Sequence, residues 1–315
     1  DLYVNIFEAK GEKDTTNNVG RVQRLIGNDS APALRVVLDG AVPHTRFCLE
    51  NVREALAPGE FYFAHNTSEL FVWPSPEWQP AGNLSVVVPA SYSAVEIDGA
   101  HDLSFHGVTF RDTSYASHGG NSAPPVGTPT DAAVRINRAQ RVSINASRFG
   151  AGVAGYAVAI GNSSRGVRVE HCVVSGVGQG GVILYGANGS EPRDCVVAHN
   201  VFRNLGRMLK HVAGVMMKAA KDTIVAHNLI DGSPRYGIEF TSYGMGPRPP
   251  TDPSTRVSTG NVMEHNVIRN TCLETDDCAA VYAYGGGSAQ NYSWNLANTI
   301  RYNNISGILD VSATD

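Results

Sequence analysis

The residues best equipped for chemistry in this 315-residue chain are acids and tyrosines set on short apolar segments. Glu239 lies in YGIEF, Tyr282 and Tyr284 lie in VYAYGG, and Glu274, Asp276 and Asp277 share the turn just before it. Lys218, Tyr185 and Arg135 fall at or just beyond matching places in AGVMMK, GGVILY and AAVRI. Carboxylates among aromatic rings are what sugar chemistry requires. Ring faces stack on pyranoses, and two acids supply acid and base or nucleophile. Asp277 and Glu239 are the expected catalytic pair; Tyr282, Tyr284, Lys218, Tyr185 and Arg135 are the expected substrate contacts. The competing reading pairs Glu239 with Lys218 as an ordinary surface ion pair and leaves the turn as a solvated loop.

Other chemistries lack a signature. There is no GxSxG, no GxxxxGK and no CxxC. His171, His199, His227 and His265 form one column, but neighbours about 4.8 Å apart stack rather than converge on a metal. No run of oxygen ligands marks calcium. Neither metal nor cofactor is expected.

The elements that must position these residues show in the repeats. VSINASRF (142–149), VRVEHCVV (167–174), VVAHNVF (196–202), IVAHNLI (224–230), VMEHNVI (262–268) and IRYNNI (300–305) align. One column reads Ser147, Cys172, Asn200, Asn228, Asn266, Asn303, in steps of 25, 28, 28, 38 and 37 residues. Two residues on come Phe149, Val174, Phe202, Ile230, Ile268 and Ile305. LSFHGVTF (103–110) is an earlier member. A second set aligns Val134, Val158, Val182, Val215, Ile238 and Val281 as inward residues, and places Arg135, Ala159, Ile183, Met216, Glu239 and Tyr282 outward. Short strands recurring without hairpin signals and without a 3.6 period predict an all-β chain, a right-handed parallel β-helix. The Asn column predicts a ladder of side-chain amides. Residues 1–90 lack the period and read as a separate β-rich part with strands in RVQRLIG, LRVVLDG, RFCLENV, EFYFAH, ELFVWP and LSVVVP; the helix occupies 91–315. Two loops rich in Pro, Ser, Thr and Gly, 119–130 and 244–260, interrupt it.

Composition narrows the setting. Lys plus Arg is 25 and Asp plus Glu is 29, so nothing favours nucleic acid. No apolar run is long enough to span a membrane. The chain starts at Asp1 with no signal-peptide pattern, so its N-terminus is expected to be processed or trimmed. Asn28, Asn66, Asn83, Asn145, Asn162, Asn188, Asn291 and Asn304 each head an N-x-Ser/Thr triplet. With 23 Asn and 41 Ser plus Thr, chance gives roughly three such triplets. The excess predicts a secreted, N-glycosylated chain. Five cysteines are an odd number; Cys272 and Cys278 flank LETDD and can close a small disulfide loop.

FCLENVREALAPGEFYF…ELFVWP with VEIDGAHDLSFHGVTFRDT, and NVMEHNVIRNTCLETDDCAAVYAYGG…NTIRYNNISGIL, resemble a large family of secreted right-handed parallel β-helix proteins that includes fucosidase- and xylanase-type glycoside hydrolases. The resemblance runs through about residues 40–310 and implies a polysaccharide-acting protein. It matches Asp277 to the family's Asp before a GIY-like strand; Glu239 has no such match. It also implies a further coil beyond NNISGIL, so the helix is expected to be open at its C-terminal end and capable of self-association there. The family's Trp and His are replaced here by Met216 and Ala219, which favours a second reading, a non-catalytic structural glycoprotein of an extracellular fibre, coat or cell wall. The expected partners are thus polysaccharide or covalently attached glycans.

Overall fold

Val134, Val158, Val182, Val215, Ile238 and Val281 sit in one hydrogen-bonded register, each paired to the next across parallel strands. Their neighbours one residue on, from Arg135 through Tyr282, form the opposite column of the same sheet. Alternate side chains of a strand face opposite ways, so a period of two in each segment fixes an inside and an outside. The computed structural model describes the backbone of residues 3–7, 18–28, 31–38, 46–78, 86–115, 131–150, 152–186, 189–242, 258–275, 277–285 and 297–309; described side chains begin at residue 51 and exclude 284 and 285.

Residues 89–315 form one unit and residues 1–88 another. The larger is a three-sided parallel β-helix built from three seven-stranded sheets. The first sheet runs from Val95–Asp98 to Val281–Gly285, the second from His101–His106 to Thr299–Arg301, and the third from Thr109–Phe110 to Asn304–Ile308. Every coil contributes one strand to each sheet.

The corners explain why the chain turns where it does. Gly107, Ala146, His171, His199, His227, His265 and Tyr302 all have φ between +49° and +68°. They occupy the bend between second and third sheets, and a single left-handed residue there redirects the strand. The residue after each bend carries the ladder. Asn200 Nδ2 donates to Asn228 Oδ1, Asn228 Nδ2 to Asn266 Oδ1 and Asn266 Nδ2 to Asn303 Oδ1, each at 3.0 Å. Cys172 N–H also donates to Asn200 Oδ1 at 2.9 Å. Each rung thereby satisfies buried groups that would otherwise be costly. A second ladder, Thr223–Asn261–Asn298, runs along the bend before the second sheet. The sequence reading missed it, because Thr223 and Cys195 stand in its column where only two Asn remain.

Inside, Phe110 and Phe149 stack with centroids 4.8 Å apart, and Val174, Phe202, Ile230 and Ile268 continue the column fully buried. Cys172 and Cys195 are free thiols in this core; burial pushes the Cys195 thiol up to about 11, so it is inert rather than nucleophilic. The Cys48 side chain lies outside the described ones.

The smaller unit holds a four-stranded antiparallel sheet, ordered Ala31–Leu38, Asn18–Asn28, Tyr3–Phe7, Arg46–Glu50, and a hairpin of Phe61–Ala64 with Glu69–Val72. Asn51 braces that hairpin by accepting from Phe63 N–H at 2.8 Å and donating to Phe63 O at 3.0 Å. The expected strand in LSVVVP does not form over its described part: Val86, Val87 and Val88 are exposed and pair with no strand. High β-propensity without a partner edge does not make a strand.

Candidate functional site

The outward column of the first sheet was expected to face substrate. It is enclosed instead. Ala159, Ile183 and Met216 are fully buried, packed with Tyr156, Leu209, Val212 and Tyr236 in a second apolar cluster outside the coil. Three apolar residues in an outward column are costly to leave in water, and burying them closes the face.

Glu239 lies at the end of this cluster, one rung from Tyr282. Its carboxylate pairs with the Lys218 ammonium, and both side chains are 1% exposed. Glu239 Oε2 has no hydrogen-bond partner among the described residues. The pairing anticipated for a surface carboxylate is therefore present, but buried. Glu239 is thus enclosed with its counter-ion rather than open to solvent. Lys218 is enclosed with it, also 1% exposed.

Two other expected contacts are also engaged. Tyr185 is 7% exposed, and its hydroxyl donates to Asn137 Oδ1 at 3.2 Å. Gly161 makes room for it, since a Cβ there would stand 2.6 Å from Tyr185 Cζ. Arg135 sits on a distant coil and pairs with Glu96 at 2.9 Å, its Cα partner across the register. The side chain of Tyr284, like Asp276, lies outside the described residues.

Asp277 is different. Its side chain is 44% exposed, yet it is held from behind by Arg235, which is 2% exposed. Arg235 Nη2 donates to Asp277 Oδ2 at 2.7 Å, and the Tyr282 hydroxyl donates to Oδ1 at 3.5 Å. Tyr282 stacks on Tyr236 with ring centroids 4.5 Å apart, and Arg235 lies 4.9 Å from the Tyr236 ring. Residues 272–278 form a loop closed by the Cys272–Cys278 disulfide, with Cα atoms 5.5 Å apart. The loop is further tied by Glu274, which accepts from Lys210 Nζ at 2.9 Å, and by Thr275, whose hydroxyl donates to Pro234 O at 3.2 Å. A carboxylate on a clamped loop, beside a tyrosine pair, is a pre-organised polar platform.

Arg235, Tyr236 and His211 were not singled out from sequence. The one available signal was that YAVAI and YGIEF both place a Tyr two residues before the inward column. Burial pushes the Tyr236 hydroxyl well above its ordinary range, with Arg235 opposing, so it stays a proton donor at neutral pH. His211 packs edge-on against Tyr236, 5.7 Å between centroids, and its buried Nδ1 has no hydrogen-bond partner among the described residues. Burial, reinforced by the positive Arg235 and Lys218, holds this imidazole well below 6.5 and therefore neutral.

That burial has a pH consequence. An unfolded His takes up its proton near pH 6.5, whereas folded His211 does not. Below about pH 6.5 the unfolded state binds more protons, so stability contributed by neutral His211 falls as pH drops, by up to about 1.4 kcal/mol per unit, until the folded value is reached. Thermal unfolding at pH 7.5 and 5.5 should show this loss, and His211→Gln should flatten it. An equal slope in the variant would refute the assignment.

The four-histidine column is a stack. His171, His199, His227 and His265 lie with centroids 4.9, 4.8 and 5.0 Å apart and planes within 4°, and Tyr302 extends the row at 5.1 Å. Ring nitrogens direct their lone pairs in the ring plane, so parallel rings cannot converge on one ion. Of the glycosylation candidates, Asn66 and Asn304 are exposed and Asn145 and Asn162 half-buried. Asn83, Asn188, Asn291 and the side chain of Asn28 lie outside the described residues.

Residues 132–315 match the family described as a right handed beta helix region. No curated protein matches the sequence. Among solved structures, a glycoside hydrolase superposes with a TM-score of 0.67 at 14% identity, over 98% of this chain and 59% of its own. This chain thus spans 59% of that hydrolase's length. PfbA, a surface adhesin of Streptococcus pneumoniae, aligns with a TM-score of 0.41 at 14% identity over 69% of this chain and 51% of its own. An alginate lyase from Paenibacillus aligns with a TM-score of 0.33 at 11% identity, over 68% and 92%. At such identities the hydrolase shares a fold and nothing finer.

Proposed function

This chain belongs to the right-handed β-helix family, and from that premise we propose that it is a secreted, N-glycosylated, carbohydrate-associated protein that engages polysaccharide at Asp277 and Tyr282. The observation that carries the reading is the clamped Asp277: an exposed carboxylate fixed by a buried arginine at the edge of stacked tyrosines. Sugar hydroxyls donate to such a carboxylate, and the apolar face of a pyranose stacks on the ring. Arg235 and the disulfide-closed loop hold the group in place before substrate arrives, which removes an ordering cost from binding. Glu239 enters as a positioning residue: its ion pair with Lys218 anchors the strand beneath Tyr282. The eight triplet asparagines are the proposed glycan sites, with Asn66 and Asn304 the most accessible of those described.

The test is a panel of plant, fungal and bacterial polysaccharides, scored for binding and for released oligosaccharide. If the protein hydrolyses one, Asp277→Asn should lower turnover by about 10²–10⁴-fold, the usual weight of an acid–base group. Unchanged binding and turnover in that variant would remove Asp277 from the site.

The second reading is a non-catalytic structural glycoprotein. The enclosed Glu239–Lys218 pair favours it, because hydrolysis by either stereochemical course needs two accessible carboxylates about 5–9.5 Å apart. Electron microscopy of native material separates the readings. Single particles that release sugars support the first; subunits stacked end to end, with glycans over Asp277 and no turnover, support the second.

A further inference from the structure

A cleft of about 600 Å³ opens where the third sheet bends back towards the first, separate from the outward face of the first sheet. Its floor follows the β-helix axis. Gly152, Gly176, Asn204 and Gly232 come from four successive coils, and all take positive φ, from +49° to +93°. With coils about 4.8 Å apart, these residues span about 14 Å. Three of the four lack a side chain; at the Gly152 end a Cβ would stand 2.7 Å from Asp112 Oδ1, a carboxylate already paired with Arg111.

One wall is the loop Leu205–Leu209. It is pinned to the preceding coil by Gly206 N–H to Gln179 O at 2.8 Å, Met208 N–H to Gly178 O at 2.8 Å, Arg207 N–H to Val177 O at 3.2 Å and Leu209 N–H to Gly178 O at 3.0 Å. Arg207 is exposed, and its side chain lies back over the floor: a Cβ on Gly176 would be 3.8 Å from its Cδ and 4.0 Å from Nη1. Its guanidinium has no ion-pair partner among the described residues. Lys210, 10% exposed at its side chain, already meets Glu274. Among the described residues that line the cleft, Arg207 is the cation without an ion-pair partner. Ser175 and the Asn204 amide add hydroxyl and amide groups, and Leu205, Pro234 and Leu273 add apolar surface.

We propose that this cleft is a binding site for anionic oligosaccharide, a short run of sugars bearing carboxylate or sulfate, with Arg207 as the anion clamp. A guanidinium fork matches either anion in a two-bond geometry. Alternating apolar and hydroxyl-pairing surface suits the two characters of a pyranose, and a channel about 14 Å long suits an oligomer rather than a free ion. This site stands independently of the polysaccharide reading at Asp277.

The experiment is titration calorimetry on the full chain with a hexuronate tetrasaccharide, its methyl ester, a sulfated neutral tetrasaccharide and inorganic sulfate. At least tenfold tighter binding of the acid than of its ester is expected, lost in Arg207→Ala and retained in Arg301→Ala, a surface arginine of the second sheet paired with Glu264. Binding of the sulfated sugar as well widens the ligand class to both anions; binding of the hexuronate alone restricts it to carboxylates. Equal affinity for acid and ester, inorganic sulfate bound as tightly as either sugar, Arg207→Ala binding unchanged, or no binding at all would each overturn the proposal. Circular dichroism of Arg207→Ala serves as the folding control. Retained acid-sugar binding with no effect of Asp277→Asn on any polysaccharide would sink the earlier reading and leave this one standing.

Discussion

Lys218→Met should destabilise the protein by about 3–5 kcal/mol, the usual cost of leaving one member of a buried pair uncompensated. Both partners are 1% exposed, and Glu239 Oε2 already lacks a hydrogen-bond partner among the described residues. Without the ammonium, the carboxylate has neither water nor a counter-ion and must take a proton or open the cluster around Tyr156 and Met216. For a unit of this size the loss reads as a fall of about 10 °C in thermal midpoint. The informative control is the double variant Lys218→Met with Glu239→Leu. Removing both charges also removes both desolvation costs, so the double variant should recover most or all of the loss. A single variant at wild-type midpoint, or a double variant no better than the single, would show that the pair is not what holds this end of the cluster.

Asn228→Ala should cost about as much, about 3–5 kcal/mol, through hydrogen bonds rather than charge. Asn228 sits in the middle of the ladder. Its amide donates to Val197 O at 2.9 Å and to Asn266 Oδ1 at 3.0 Å, while its Oδ1 accepts from Asn200 N–H and Nδ2, both at 3.0 Å. Alanine removes these four bonds at once, each worth about 1 kcal/mol net, and leaves the buried Asn200 N–H without its acceptor; Asn266 Oδ1 keeps the Asn228 N–H and Asn200 Nδ2 keeps Val169 O. The effect should be local in origin, because each coil touches only its neighbours. Hydrogen exchange should therefore rise first at Asn200, whose N–H donates to Asn228 Oδ1. Asn303→Ala, on the last and half-exposed rung, should cost about 1 kcal/mol, since water replaces what is lost. Equal destabilisation at both rungs would contradict a ladder whose value comes from burial.

The sequence alone determined what depends on period and on residue shape. An apolar residue every second position, repeated in each coil, leaves one inward register, and a one-residue slip would turn Val134, Val158, Val182, Val215, Ile238 and Val281 to the outside. The columns read from the chain are accordingly the columns of the fold. The Asn ladder was legible for the same reason, since like residues one coil apart are also about 4.8 Å apart in space. Stacking rather than metal ligation by the four histidines followed from that one distance.

Only the tertiary structure decided what depends on enclosure. Outward in a strand is a direction, not an exposure. Glu239 points outward as the alternation requires, yet packing of Tyr156, Leu209, Val212 and Tyr236 over its neighbours removes it from water. Tyr156 and Tyr236 hold one repeated position, but Leu209 and Val212 come from the loop before Ala213–Met217, at a spacing no repeat constrains. The partners of the acids were hidden in the same way. Arg235 reaches Asp277 across 42 residues and Lys210 reaches Glu274 across 64. A solenoid brings such residues together by stacking coils whose loop lengths vary, so the strands were readable in advance and the polar clusters at their corners were not.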